Sequence, residues 1–288
     1  MATNETALRE QIKRDFGFDL PIGSGSASSR DDPLVILASD PRDVALTEML
    51  LLRCFGEVFE KLWRVRARVA MEGRWRHVEQ VKVETKRLTS TEIVTEETNH
   101  YFDVSASIAG KDAGSHDLRQ AFMPYYVDPA TGILFPYEIG WMHFDKAVEN
   151  EAAHPGLGLT ISYAALNIQA SVYVYSRNIE PFPEMFDLDF VSAEFDAAAS
   201  DLLGFNSDGR SADDRTLAVS GGGTSYLWQA FEIGAHQSVL ALTTARRNYV
   251  KLRMTWLAEP LFDEVASEFI DAVFDLASID GPAGQTVE

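Results

Sequence analysis

The chain has one cysteine, Cys54, among 288 residues. An intramolecular disulfide and a thiolate metal cage both need more than one, so both are excluded. Long apolar runs are missing too. The longest, Leu34-Val35-Ile36-Leu37-Ala38, falls far short of the ~20 residues that a bilayer-spanning helix needs. The opening MATNETALREQIKRDFG lacks the uninterrupted apolar core of a secretory signal. Positive charge is scarce: 25 Lys and Arg stand against 44 Asp and Glu, for a net −19. A general affinity for nucleic acid or anionic membrane is therefore not expected, because phosphate contacts need cations to displace counterions. These absences together read as a cytoplasmic protein without membrane insertion.

What is present is ordinary globular material, 46% hydrophobic and 24% charged. The length favours two domains. The turn cluster Asp128-Pro129-Ala130-Thr131-Gly132 sets the expected boundary, giving domains over 1–128 and 129–288.

Pro33–Ala38 reads as a short buried strand. Asp40-Pro41-Arg42-Asp43 starts a helix, with a capping aspartate, a proline at the first helical position and an acid at the positive end of the dipole. The apolar stripe Val44, Leu51, Cys54, Phe55, Val58 and Leu62 carries that helix to about Leu62. The period then changes to alternation. Trp63 to Val69, Arg74 to Leu88 and Thr91 to Ile108 predict a three-stranded meander with a turn at Gly73. A polar break at 110–115 and a short helix over 117–123 follow.

In the second half, strands are expected at Phe135–Phe144, Gly158–Tyr163 and Ile168–Tyr175. A helix over Asp189–Leu203 comes next, then strands at Thr216–Ser220, Tyr226–Ile233, Gln237–Thr243 and Tyr249–Trp256. A final helix spans Pro260–Leu276, and the polar tail begins at Ser278. The class is α+β, two antiparallel sheets flanked by helices.

Residues about 133 to 277 resemble the PsbP-like family. The likeness is carried by Gly158-Leu159-Thr160-Ile161-Ser162-Tyr163, Ser171-Val172-Tyr173-Val174-Tyr175 and Val250-Lys251-Leu252-Arg253-Met254-Thr255-Trp256, together with element order. It implies an α/β/α sandwich for the second domain and a mostly non-catalytic role: photosystem accessory subunits, a nuclear-import factor and bacterial chaperones of secreted effectors share that fold. It supplies no site residues.

Templates for catalysis find no match. The loop IGSGSASSRDDP, residues 22–33, lacks the lysine of a phosphate loop and the third glycine of a dinucleotide fingerprint, and reads as a flexible connection. Ser220-Gly221-Gly222-Gly223-Thr224 reads as a hairpin turn between strands. His143 and Asp145, sharing one strand face, with His154 beyond, form the one constellation that suggests metal or acid–base chemistry. Its spacing is nonspecific, and no metal, cofactor or catalytic residue is assigned. Cys54 reads as a buried core thiol. Trp228, Trp256, Tyr173 and Tyr175 are expected between sheet and helices.

The most distinctive local chemistry is basic. Lys61 to Arg87 holds nine Lys and Arg against three acids. Arg64, Arg66 and Arg68 are expected to project from one face of a strand, and Arg76 and Lys82 come from its hairpin partner. These five are the candidate binding residues, through guanidinium forks on an anionic partner. Glu92, Glu96, Glu97 and Asp103 of the next strand offer cross-strand neutralisation instead. The preferred expectation is a non-enzymatic chaperone-like or adaptor-like protein that holds a protein partner, with self-association open. The rival is an enzyme with an interdomain pocket using His143, Asp145 or His154.

Overall fold

The computed structural model describes residues 13–14, 20–58, 62–72, 76–89, 92–108 and 125–276. The polar break at 110–115, the helix expected over 117–123, the Gly73 turn with Arg74 and Trp75, and the tail from 278 lie outside these residues. Two compact units divide the chain, Met1–Pro124 and Tyr125–Glu288.

In the first unit, β1 (Leu34–Val35) leads to α1 (Pro41–Val58), then to the long strands β2 (Leu62–Glu72), β3 (His77–Leu88) and β4 (Ile93–Asp103), and to a single turn, α2 (Ser105–Ile108). The sheet order is β1-β4-β3-β2. Alternation holds β3 in register: Val81, Val83 and Thr85 are buried, and the intervening Lys82, Glu84 and Lys86 are half-buried. The parallel pairing of β1 with β4 departs from the all-antiparallel expectation. The odd-numbered return of the meander brings its last strand beside β1 in the same direction. Helix α1 is buried on more than one stripe, with Val44, Ala45, Met49, Leu51, Leu52 and Cys54 all in the core; a helix apolar on several sides belongs inside a fold.

The Gly/Ser loop before β1 is a built part of this sheet, which corrects the flexible connection expected from its composition. Gly23 N–H donates to the Val35 carbonyl, Val35 N–H to Ser24, and Tyr101 N–H to Ala27. Ala27 is fully buried. Gly25 has φ +108°, and a Cβ there would sit 1.9 Å from the Pro33 oxygen. Glycine is present because the backbone of β1's lead-in occupies the place of a side chain.

The second unit opens with the hairpin β5 (Tyr125–Val127) and β6 (Leu134–Pro136) and continues with β7 (Glu138–Ile139), β8 (Met142–Glu149), β9 (Leu159–Ala165) and β10 (Ile168–Tyr175). Helix α3 (Leu188–Phe205) follows, then β11 (Gly209–Ser211), β12 (Thr216–Val219), β13 (Ser225–Ile233), β14 (His236–Ala245), β15 (Asn248–Leu257) and α4 (Pro260–Leu276). Nine strands form one antiparallel sheet, β11-β13-β14-β15-β10-β9-β8-β7, with β12 also paired to β13; β5 and β6 form a separate two-stranded sheet. Among the described residues the fold is α+β, but with three sheets where two were expected. The single strand expected over Phe135–Phe144 is divided: the Asp128–Gly132 cluster turns the β5–β6 hairpin, and Gly140, at φ +59°, turns β7 into β8. Gly221–Gly223 turns β12 into β13, with Gly222 N–H donating to Asp275 at 2.7 Å.

The helices take opposite faces of the large sheet. Val191, Phe195, Ala198 and Leu202 of α3 pack on Leu227, Phe231, Leu240 and Leu242 of β13 and β14. Phe269 and Phe274 of α4 meet Tyr163 and Tyr226 on the other face, at 5.2 and 4.3 Å between ring centroids. The Trp256 indole N–H donates to Asp263 at 2.7 Å. Helix α3 reaches β11, β13 and β14; further along the same face, β9, β10 and β15 display half-buried polar side chains.

Candidate functional site

Strand register assembles a site on that polar half. Thr160 of β9 lies opposite Tyr173 of β10, and Tyr173 opposite Lys251 of β15. The next row on the same face is Ser162, Ser171 and Arg253. Strands β9, β10 and β15 contain no aspartate or glutamate at all, in a chain with 44.

Asn150, Leu157, Thr160, Tyr173, Tyr175, Arg177 and Lys251 line a pocket of about 320 Å³, at the lower end of the ~300–1,000 Å³ range of ligand sites. The Lys251 ammonium lies 4.6 Å from the Tyr173 ring centroid and 5.2 Å from that of Tyr175, within cation–π range. Burial pushes its pKa down, and the nearby charges of Arg177 and Arg253 act the same way, against Glu194 and Asp201.

One wall is fixed by a network around the buried Glu194. Glu194 of α3 accepts from the Tyr175 hydroxyl at 2.7 Å and from two nitrogens of Arg177 at 2.8–3.0 Å. The Arg177 guanidinium also stands 5.6 Å over the Tyr175 ring. Burial, then the Glu194 bond, raises the Tyr175 pKa. The other wall is the 150–158 turn. Glu151 accepts from Gly156 and Gly158 N–H at 3.0 Å, and Arg177 N–H donates to the Gly156 carbonyl at 2.8 Å. The Asn150 amide donates to the Thr160 hydroxyl oxygen at 3.0 Å, which leaves the Thr160 proton available to a ligand. A half-buried cation with aromatic sides and hydroxyl neighbours is suited to receive an anion.

The residues singled out from sequence lie elsewhere. Arg64 and Arg66 both reach Glu84, at 3.1 and 3.2 Å. Arg68 pairs with the fully buried Glu48 of α1 and approaches Glu79 at 3.8 Å. Arg76 stands 3.8 Å from Asp103, and Lys82 is half-buried between Ala67 and Asn99 in the register. A β-bulge between Val65 and Ala67 breaks the arginine alternation, so Arg64 lies opposite the half-buried Glu84 whereas Arg68 lies opposite the buried Val81 and turns to the helix face, and the three arginines do not share one face as expected.

His143 and Asp145 do not share a face as expected. A bulge between Phe144 and Lys146 interrupts the two-residue period: His143 is buried, whereas Asp145 and His154 are exposed. No group of three metal-ligating side chains occurs among the described residues. Tyr175 packs in the core beneath α3 as expected, with Tyr173 against it, and both also line the pocket. Lys251 was missed as a site residue, and its signal was the acid-free run of Asn248–Leu257. Among the described residues, no helix is long and apolar enough to cross a membrane.

No family model and no curated protein sequence matches the chain. Among solved structures it is similar to the solution structure of cyanobacterial PsbP (CyanoP) from Synechocystis sp. PCC 6803, at 17% identity over 57% of this chain and 95% of that one. The TM-score is 0.35, a weak structural resemblance.

Proposed function

We propose that this protein acts by binding, as an accessory or adaptor-like protein, and that it holds a protein partner on the polar half of the nine-stranded sheet. One observation supports this most: β9, β10 and β15 present Lys251 and Arg253 with no acid of their own, in a chain of net −19. Such a surface complements an acidic group on the partner. The separation of buried His143 from exposed Asp145 and His154 removes the main support for the catalytic alternative. The five-residue basic ribbon is a weaker candidate surface, because four of its members already face carboxylates.

A photocrosslinking amino acid at Ser171, in the middle of this face, tests the reading in the native cell. The expected result is a discrete protein adduct that is absent when the same group is placed at Glu264 on α4. No adduct at Ser171, or the same adducts from both positions, overturns it.

A further inference from the structure

Resting on that reading, we infer that the Lys251 pocket receives a single aspartate or glutamate side chain of the polypeptide partner, with its carboxylate on the Lys251 ammonium and the Thr160 hydroxyl. The side chains of Lys251, Arg253 and the exposed Lys146 of β8 make no ion pair or hydrogen bond among the described residues. By contrast, Arg177 at the pocket wall is already held by Glu194. Lys251 is therefore the lining cation that no carboxylate contacts directly, with Glu194 and Asp201 acting on it only from a distance. The Tyr173 and Tyr175 rings hold the ammonium from below and shield it from water, so a carboxylate arriving there gains more than it would on an exposed lysine.

Size and charge argue for one side chain instead of a run of acids. The volume of about 320 Å³ suits a side chain and its flanks. Leu157, 44% exposed, offers an apolar edge to the residue beside it. The net charge of −19 repels a polyanion at long range. A lone acid within an otherwise apolar or neutral segment meets the local cation without that penalty.

The test is NMR of the full chain, with the ring signals of Tyr173 and Tyr175 followed during titration. The probes are the peptide Gly-Gly-Leu-Glu-Leu-Gly-Gly, its Leu-Gln-Leu counterpart, and free glutarate. The expected result is saturable shifts with the glutamate peptide, at least tenfold weaker binding by the glutamine peptide and by glutarate, and at least tenfold loss in Lys251→Met. Lys251→Arg retains binding, which separates loss of charge from loss of fold. Equal binding of the two peptides, or no effect of Lys251→Met, overturns the inference, as does silence with every probe. Glutarate binding as tightly as the peptide makes a free organic acid the occupant and also overturns it. A Ser171 adduct alongside a negative titration leaves the binding role standing and removes only the carboxylate subsite.

Discussion

Arg177 and Glu194 share one ion pair but differ in exposure, and removing them is expected to have unequal effects. The Arg177 side chain is 43% exposed and that of Glu194 only 8%. Arg177→Met keeps the stem over Tyr175 but strands a buried carboxylate. Breaking a buried pair in this way costs about 3–5 kcal/mol, and the surviving Tyr175 hydroxyl bond sets the value near the low end, about 3 kcal/mol. Glu194→Ala leaves a guanidinium that water can reach. Its cost is the Tyr175 acceptor and some packing, about 1–2 kcal/mol. Native-state hydrogen exchange of β10 and α3 amides reads the local opening free energies directly. A Glu194→Ala deficit as large as that of Arg177→Met refutes the reasoning.

Three further outcomes are expected. Gly25→Ala places a Cβ 1.9 Å from the Pro33 oxygen at φ +108°, and should destabilise the first unit by at least about 2 kcal/mol; an unchanged urea midpoint would show that the loop is not built into the sheet. Glu79 binds its proton more tightly folded than unfolded, because burial raises its pKa from 4.5 against the opposing Arg68 and Glu48 interactions. The wild type accordingly loses stability as pH rises through that raised value, and Glu79→Gln should narrow the Tm difference between pH 5 and pH 8; an unchanged difference counts against the assignment. Because burial lowers the Lys251 pKa, glutamate-peptide affinity should fall with rising pH before the ordinary lysine range, while Lys251→Arg stays flat; parallel profiles would exclude the ammonium as the binding group.

Much of the fold was legible where one face of an element is buried. Ile168–Tyr175 alternates strictly, and its strand is found over the same residues; the Val191, Phe195, Ala198 and Leu202 stripe of α3 is the face that packs. What was hidden depended on residues distant in sequence. The Gly/Ser loop has a flexible composition, yet Gly25 is demanded by the Pro33 backbone it crosses. Phe135–Phe144 is apolar enough for one strand, but the positive φ at Gly140 divides it, and no periodicity rule reports a backbone turn inside an apolar run.

The site shows the same limit more sharply. Counting charge along the chain singled out Lys61–Arg87, because nine cations lie close together there. A linear count cannot see Glu48, which comes from α1 to meet Arg68, or the bulge that turns Arg68 to the opposite face from Arg64. A dense basic run attracts its own acids, so density measures internal pairing as much as it measures an interface. Lys251 is a single lysine in an apolar strand and adds little to such a count. Its importance comes from register: β15 lies beside β10, β10 beside β9, and none of the three carries an acid. The absence was readable in each segment separately, but only strand pairing makes three acid-free segments into one surface. A cation is informative for binding when its strand neighbours cannot neutralise it, and Lys251 meets that condition more fully than any arginine of the basic ribbon.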